Sequence, residues 1–511
     1  AYIIHRGDEK DPGPDQFLSF DPWGYEVWQL SGEHPSDPSE PHYVLPIVGT
    51  GAAPGNIDEQ RAHWVADDTI VWSSATDPGV DYALCHAPDG GMTLGAAGID
   101  GGTCIDVAPG APFDAGDGFL HLDGQPTLTI PPDFLADVPA ILTGQIAVVA
   151  VDDGLRIDAT GLQIPGVLDD LYATDADLGV VWDGRIPTVN LWAPTAKDVR
   201  VRLYHNSTTE QFTTVELERA DDGVWSAPLD AQWKDRYYVY EVEVYVPATG
   251  TVETNLVTDP YSLSLAMNST RTQLVDLGDR KHEPARWERL EKPPLGPPED
   301  ISIYELHVRD FSIFDETVPA SKRGTYAAFT KQQSDGMRHL ADLADSGLTH
   351  VHLLPVFDIA TIEEDESLRQ EPDPAVLATY PPDSAEQQAA VTATAELDGF
   401  NWGYDPFHYT TPEGSYSTDP NGPTRIVEFR EMVQSLNDTG LRVIMDVDYN
   451  HTNASGQAST SVLDRIVPGY YQRLDDQGAV TTSTCCAKTA TEHEMMAKLM
   501  VDSVVTWAKQ Y

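Results

Sequence analysis

The sequence has few cysteines, few basic residues and no long apolar run, and each shortage excludes a class of protein. Its 511 residues include 31 Lys and Arg against 82 Asp and Glu, which gives a formal net charge of −51. Nucleic acids and anionic lipids are bound mainly through Lys and Arg, so we expect neither as a partner. No run of about 18 apolar residues occurs, which predicts no membrane span.

The four cysteines do not fix the redox compartment. Cys85 and Cys104 lie in one short region, which is compatible with a local disulfide. Cys485 and Cys486 are adjacent, and a bond between them would strain the backbone. Neither pair has the Cys-x-x-Cys spacing of a metal ligand set, so the sequence predicts no zinc site. The chain begins Ala-Tyr-Ile-Ile, without Met or a signal peptide, so we expect a processed or cut N-terminus.

What the chain does contain is enough apolar sequence for several cores. Hydrophobic residues make up 41% and charged residues 22%, as in ordinary globular proteins. The length predicts about three to five domains. Within residues 1–55, Trp23, Tyr25 and Trp28 have the spacing of a strand with rings near one face. Such rings either stack on sugars or form a small β-core, and the pattern leaves both open.

Two further β modules follow, over residues 56–172 and 173–285. Residues 146–151 form a continuous apolar run typical of a buried strand. Residues 238–244 alternate with period two, as do other short runs in the second of these modules. Several short strands separated by turns predict a β-sandwich there.

After a proline-rich linker, residues 300–511 change to an α/β pattern. Strand-like runs at 301–306, 348–355 and 441–447 alternate with helical stripes that end near Gly347 and Gly440. A last helix is predicted over 491–511, with Thr489 and Glu492 as its capping box. The βαβαβα order predicts a parallel sheet, either doubly wound or part of an eight-unit barrel. Residues 358–400 form a long polar insertion, which is typically functional or disordered.

Polar residues collect where the predicted parallel strands end, the edge at which such sheets carry their sites. The densest cluster is Asp-Val-Asp-Tyr-Asn-His-Thr at 446–452, and alternation puts Asp446 and Asp448 on the same side. Asp358 follows the second strand. A second cluster, Phe-Asn-Trp-Gly-Tyr-Asp-Pro at 400–406, presents Tyr404 for stacking on a sugar ring. The alternatives are a solvated loop for the first cluster and a hydrophobic plug for the second. No Gly-x-Gly-x-x-Gly follows the first strand, so no organic cofactor is expected.

These segments resemble the pullulanase-type starch-debranching enzymes of the α-amylase superfamily. The family carries an Asn-Trp-Gly-Tyr-Asp-Pro block, found here at 401–406, and an Asp-Val-x-Tyr-Asn-His-Thr block, found at 446–452. Trp-Ala-Pro-Thr-Ala at 192–196 resembles the β-sandwich module that precedes the barrel, and Gly-Val-Leu-Asp-Asp at 166–170 resembles the module before it. The resemblance implies a multidomain protein, with N-terminal β-sandwich modules followed by an incomplete (β/α)8 TIM-type barrel. Residues 1–55 would be a partial starch-binding module.

The resemblance also assigns roles to residues. Tyr404 would stack on the glucosyl ring at the cleavage subsite and His451 would hydrogen-bond its hydroxyls. Asp446 would be a positioning carboxylate, and Asp405 is a further substrate-binding candidate. Asn450 matches a position that binds calcium in α-amylases, which makes calcium the one cofactor implied. Asp448 departs from the family, which has an apolar residue there.

The resemblance implies a retaining glycosidase with two catalytic carboxylates. Its nucleophilic Asp follows Gly-Phe-Arg-Phe on the fourth barrel strand, a segment this sequence does not contain. We therefore expect an inactive N-terminal fragment, without catalytic residues, of an enzyme that cleaves α-1,6 linkages in pullulan, amylopectin and limit dextrins. The alternatives are a non-catalytic α-glucan-binding protein and another superfamily activity on α-1,4 linkages. An α-glucan partner, a monomer and an extracellular or cell-surface location are expected.

Overall fold

The computed structural model describes residues 55–511 except 117, 396 and 484, and the backbone of four short strands before them. These strands are Tyr2–Arg6, Glu9–Gln16, Val27–Trp28 and Ile47–Val48. The side chains of Trp23, Tyr25 and Trp28 lie outside the described part, so the module at 1–55 remains a prediction. Among the described helices, none is long and apolar enough to cross a membrane.

The first described module is a closed β-barrel, not the sandwich that the family resemblance implies. Its strands are Ala62–Ala66, Thr69–Val71, Asp81–Ala87, Thr103–Pro109, Thr127–Thr129, Gln145–Asp152 and Leu155–Gln163. The sheet closes because Leu155–Gln163 pairs in parallel with Ala62–Ala66, a contact between distant segments that alternation cannot reveal. Its core includes the fully buried Trp64, Trp72 and Leu128. The hairpin Thr93–Gly95 and Gly98–Asp100 and the helices Val138–Ile141 and Pro165–Tyr172 complete it.

The predicted local disulfide is present in this barrel. Cys85 and Cys104 face each other directly on adjacent antiparallel strands, and their sulfurs are bonded. The apolar run at 146–151 is the neighbouring strand, with Ala147 and Val148 fully buried. The disulfide therefore joins two strands of one sheet, with Cys85 buried and Cys104 exposed.

The second module consists of two antiparallel sheets packed face to face, as the alternation predicts. One contains Gly179–Asp183, Ile186–Trp192, Glu218–Arg219 and Val224–Pro228. The other contains Ala196–Tyr204, Phe212–Glu216, Tyr237–Val246, Thr251–Val257 and Thr272–Gln273. Inward residues of both sheets, such as Val189 and Val201, are fully buried in one cluster. Period-two alternation produces this pattern because successive side chains point to opposite faces of a sheet.

The third module is built on a three-stranded parallel sheet. Ile303–Leu306, His350–Leu353 and Arg442–Met445 pair in that order, so the predicted parallel arrangement is confirmed. The helices are Asp335–Asp345, Thr424–Asp438 and Glu494–Gln510, with the short Pro374–Leu377 and Glu386–Thr392 inside the long insertion. Two small sheets, Phe357–Ile359 with Pro406–Pro412, and His451–Thr452 with Thr482–Ser483 and Cys486–Lys488, flank it.

Two predicted helix ends are confirmed, and the predicted start of a third helix is wrong. Gly347 and Gly440 have positive φ angles of 108° and 91° directly after their helices, a conformation that glycine adopts without strain. The predicted capping box of the last helix is wrong. Thr489 donates its hydroxyl to the carbonyl of Tyr449, and Glu492 pairs with Arg473, so both side chains serve tertiary contacts before the helix begins.

One hydrophobic core connects the three modules. Trp192 of the second module packs against Tyr470 of the third, with ring centroids 4.7 Å apart. The hydroxyl of Tyr470 donates to Asp169 of the first module, and burial raises the pKa of that carboxyl to about 6. The modules are therefore held in a fixed arrangement by buried contacts.

Candidate functional site

Tyr404 and His451, the two residues proposed to bind sugar, lie together near the carboxyl ends of the parallel strands. The Nε2–H of His451 donates to the main-chain carbonyl of Tyr404 across 2.9 Å. The hydroxyl of Tyr404 donates to Oδ2 of Asp446 across 2.7 Å. His451 is buried, whereas the Tyr404 side chain is 37% exposed. An exposed aromatic ring thus stands beside a fixed imidazole and a fixed carboxylate.

The loop that carries Tyr404 is shaped by a glycine and two polar side chains. Gly403 has a φ of 93°, and a Cβ there would lie 2.8 Å from the Cβ of Pro355, so a larger residue does not fit. The Asn401 side-chain oxygen accepts the Gly403 N–H at 2.8 Å. Asp405 accepts hydrogen bonds from the Thr361 hydroxyl and the Asn401 amide. Asp405 therefore braces the loop, and its contact with sugar remains a prediction.

Burial and the neighbouring carboxylate keep the Tyr404 hydroxyl protonated. Burial raises the pKa of this phenol, and its hydrogen bond to Asp446 raises it further, because ionisation would place two negative charges side by side. Tyr404 is therefore a hydrogen-bond donor at every working pH, and Asp446 fixes the orientation of its ring.

An imidazole between two carboxylates extends the cluster and was not predicted. His352 Nδ1 lies 3.6 Å from Oε2 of Glu305, and its Nε2 lies 4.0 Å from Oδ2 of Asp446. Glu305 and His352 are direct neighbours in the parallel register. Sequence analysis did not single out His352, because it lies inside a strand and not at its end. Only the strand register of the structure places it beside Glu305.

The second carboxylate of the 446–452 segment points to His451. Oδ2 of Asp448 lies 3.4 Å from His451 Nε2, and its Oδ1 accepts the main-chain N–H of Asn450 at 2.9 Å. The Asn450 side-chain nitrogen lies 3.2 Å from His451 Nδ1. Asp448, the residue that departs from the family pattern, therefore contacts His451, the histidine proposed to bind sugar.

The adjacent cysteines form the bond that backbone strain was expected to disfavour. Cys485 and Cys486 are disulfide-bonded at the turn between the strands Thr482–Ser483 and Cys486–Lys488. Cys485 Sγ lies 3.9 Å from His451 Nε2. Both sulfurs therefore lie close to the imidazole of His451.

Asp358, the polar residue after the second strand, lies in a buried charge network instead of the cleft. The Nδ1–H of His408 donates to its carboxylate across 2.7 Å, and the guanidinium of Arg425 lies 3.6 Å away. Arg425 also pairs with Glu364, at 3.3 Å to each oxygen. Together with Glu413, Asp358 and Glu364 surround Arg425. These four side chains and that of His408 are all buried.

This network connects the third module to the end of the second. Ser269 donates its hydroxyl to Asp358 across 2.6 Å, and the N–H of Asn268 donates to Glu364 across 2.6 Å. Thr258 and His408 share a 2.7 Å hydrogen bond. Both Asn268 and Ser269 have positive φ angles, 54° and 52°, so their backbone is held in an unfavourable conformation by these contacts.

Comparisons with known proteins give a consistent result. A family model described as the Pullulanase N2 domain matches residues 59–170, and one for carbohydrate-binding module 48 (isoamylase N-terminal domain) matches residues 177–262. Chloroplastic Pullulanase 1 of Arabidopsis thaliana is 41% identical, over 88% of this chain and 47% of the relative. The pullulanase of Klebsiella pneumoniae is 38% identical, over 88% and 45%.

Solved structures agree. The crystal structure of PulA from Klebsiella oxytoca aligns with a TM-score of 0.85 and 37% identity, covering 90% of this chain and 48% of that one. A Klebsiella pneumoniae pullulanase complexed with maltotriose aligns with a TM-score of 0.85 and 36% identity, covering 89% and 47%. The chain thus spans about half the length of these relatives.

Proposed function

The chain is homologous to the pullulanases along 88% of its length, and from this premise we propose that it is part of a starch-debranching glycoside hydrolase that cleaves α-1,6 linkages. Within that enzyme, we assign these residues to the binding of an α-glucan. The observation that carries the assignment is the hydrogen-bonded cluster of Tyr404, Asp446 and His451. The maltotriose complex of a homologous pullulanase supports the ligand class.

The chemistry of the cluster suits a glucosyl ring. One face of a pyranose is apolar and stacks on an aromatic side chain, and the Tyr404 ring is partly exposed for such contact. Asp446 holds that ring by its hydroxyl, so stacking requires no reordering of the side chain. His451 supplies an imidazole for the sugar hydroxyls, and Asp405 supports the loop below.

In this proposal the parallel sheet is part of a (β/α)8 barrel. Three parallel strands that alternate with helices support it, as does the placement of the polar cluster near their carboxyl ends. In the family's retaining mechanism the nucleophile and general acid belong to later strands. The sequence contains no Gly-Phe-Arg-Phe segment, so we propose that these 511 residues bind glucan without cleaving it.

A calcium ion at Asn450 fits poorly. Calcium takes six to eight oxygen ligands. The nearest carboxylate, Asp448, directs one oxygen at the Asn450 N–H and the other at His451. Among the described residues, neither group of three clustered metal-ligating side chains contains Asp448. Calcium therefore enters no step of the proposed function.

The location and the oligomeric state stay proposals. We propose an extracellular or cell-surface protein, which the two disulfides support because such bonds persist in oxidising compartments. A monomeric state is proposed with it. Size-exclusion chromatography with light scattering measures that state directly.

Substituting Tyr404→Ala is expected to weaken binding of maltotriose at least about tenfold, since ring stacking contributes on the order of 1.4 kcal/mol or more. Isothermal titration calorimetry of the 511-residue protein measures the affinity. Tyr404→Phe keeps the ring and loses only the hydroxyl bond to Asp446, so its loss should be smaller. Tyr304→Ala is the matched control, since that tyrosine is 39% exposed on the first parallel strand.

Equal affinities of wild type and Tyr404→Ala for maltotriose would contradict the assigned binding site.

Reducing-sugar release from pullulan tests whether the proposed enzyme cleaves α-1,6 linkages. The 511 residues alone should release none, whereas the protein extended to the length of its relatives should hydrolyse α-1,6 linkages. Extended protein that binds glucan without cleavage would instead indicate the non-catalytic alternative, and α-1,4 products would indicate the other superfamily activity.

A further inference from the structure

Two sulfur atoms and an imidazole nitrogen converge beside the proposed glucan cleft. Ligand atoms of His451, Cys485 and Cys486 all lie within 4.8 Å of one another. Cys485 is exposed and Cys486 half-buried, so solvent reaches both. In the described part of the chain, the second cluster of this kind holds three buried carboxylates that already surround Arg425.

The backbone holds these three side chains in place. His451 lies on a strand that pairs directly with Cys486–Lys488, with His451 opposite Lys488 and Thr452 opposite Ala487. A hairpin turn then fixes Cys485 beside Cys486. Donors on paired strands lose little conformational freedom on binding a ligand, because the sheet has already ordered them.

We propose that reduction of the Cys485–Cys486 bond creates a binding site for a soft divalent metal ion, such as Zn²⁺ or Cd²⁺, made by the two thiolates and His451. A phosphine reductant attacks one sulfur, breaks the S–S bond and is oxidised to its phosphine oxide with an oxygen from water. Each sulfur gains a proton in that step. The metal ion then displaces the two thiol protons and forms two metal–sulfur bonds.

The required movement is small. Tetrahedral zinc with sulfur and nitrogen ligands places those atoms about 3.3–3.8 Å apart, so side chains within 4.8 Å need shifts of about 1 Å. The Nε2 proton of His451, now donated to the Tyr404 carbonyl, moves to Nδ1, and the Asn450 amide turns so that its oxygen accepts that proton. Asp448, whose Oδ2 lies 3.4 Å from Nε2, is outside the three-ligand cluster and supports it as a nearby negative charge.

The proposed metal site and the proposed glucan site share His451. If the proposed function holds, a bound metal ion and a glucan compete, because one imidazole cannot serve both. Reduction alone leaves His451 free for sugar, whereas reduction with metal occupies it. The pair of cysteines would then make glucan binding depend on both redox state and metal supply.

Cadmium titration of the 511-residue protein tests the site, after reduction by a water-soluble trialkylphosphine and its anaerobic removal. We expect one Cd²⁺ per chain, seen by ultraviolet thiolate-to-cadmium charge-transfer absorption, and no such absorption before reduction. The double substitution Cys485→Ser, Cys486→Ser should abolish it. All proteins in this titration carry Cys85→Ala and Cys104→Ala, because Cys104 is exposed and its disulfide is open to the same reductant.

His451→Ala removes a direct ligand and should weaken cadmium binding by more than about 100-fold, whereas Asp448→Val removes only a supporting contact, a loss of about 10–100-fold. Absorption that persists in the double serine variant, or appears without reduction, would overturn the site. Maltotriose titration of the reduced protein with and without Cd²⁺ tests competition. Metal binding without any maltotriose binding would refute the proposed function and leave the metal site standing, whereas unchanged maltotriose affinity with bound metal would refute the shared histidine.

Discussion

Arg425→Met is expected to lower the free energy of unfolding by about 3–5 kcal/mol, the cost of removing one partner from a buried ion pair. Arg425 is fully buried, and its guanidinium lies 3.6 Å from Asp358 and 3.3 Å from Glu364. It also donates to the carbonyls of Pro412 and Pro420. Methionine has a similar length and no charge, so it fills the space but leaves the carboxylates unpaired.

Urea unfolding followed by circular dichroism measures the change, with Arg338→Met as the matched control. Arg338 also pairs with an aspartate, Asp335, but both side chains are more than half exposed. Exposed pairs contribute about 0–1 kcal/mol, so the control should unfold close to wild type. Equal stability of the Arg425 variant and the control would show that the carboxylates do not depend on this arginine.

The network also predicts where a destabilised variant opens. Ser269 and Asn268, at the end of the second module, are held by Asp358 and Glu364. Loss of Arg425 should therefore raise hydrogen exchange at Asn268, whose N–H is bonded to Glu364, before it affects the barrel of the first module. The contact between the second and third modules therefore depends on these buried charges, and so does the interior of the third module.

Local periodicity predicted most of the third module, because its elements are stabilised by neighbours in sequence. The helix at Asp335–Asp345 follows from Met337, Leu340 and Gly347, and the parallel order follows from the alternation of strands and helices. Tyr404 and His451 were found because each lies in a short motif at a strand or loop end. Their contact was implied by the resemblance, and the structure places them 2.9 Å apart.

What the sequence did not predict depends on contacts between distant segments. The barrel closes through residues about 100 positions apart, and Asp358 joins Arg425 from 67 positions away. The cysteine pair had no metal spacing because its third ligand, His451, comes from 34 positions earlier. The prediction of the capping box was wrong for the same reason, because Glu492 forms an ion pair with Arg473. Local patterns carry no information about such partners.

The stability of the protein is expected to fall as pH rises from about 5 to about 8, and Glu413→Gln should remove the part of that fall that Glu413 contributes. Burial raises the pKa of Glu413 to about 7 and that of Glu364 to about 8, and neighbouring carboxylates add to the effect. Three buried carboxylates share one arginine, with His408 bonded to Asp358, so at least one acid keeps its proton in the folded protein. In the unfolded chain the same groups ionise near pH 4.5.

The sign follows from proton binding. Between about pH 4.5 and about pH 7 the folded protein binds more protons at Glu413 than the unfolded chain, so the free energy of unfolding decreases as pH rises. For Glu413 the loss is on the order of 2–3 kcal/mol, at about 1.4 kcal/mol per pH unit. Urea unfolding at several pH values measures it. Glutamine is neutral throughout, so its curve should be flatter by that amount.

The slope of the free energy of unfolding against pH tests this prediction, whereas the absolute free energy of unfolding does not. Glu413 accepts the N–H groups of Ile359 and Ser415 on separate oxygens, and glutamine has only one oxygen, so the variant loses a hydrogen bond at every pH. Glu316→Gln removes the same charge from an exposed position and controls for general repulsion in this acidic protein. If Glu413→Gln and Glu316→Gln have the same pH slope, the buried cluster is fully ionised and holds no proton. That outcome would require a cation other than Arg425 to neutralise it.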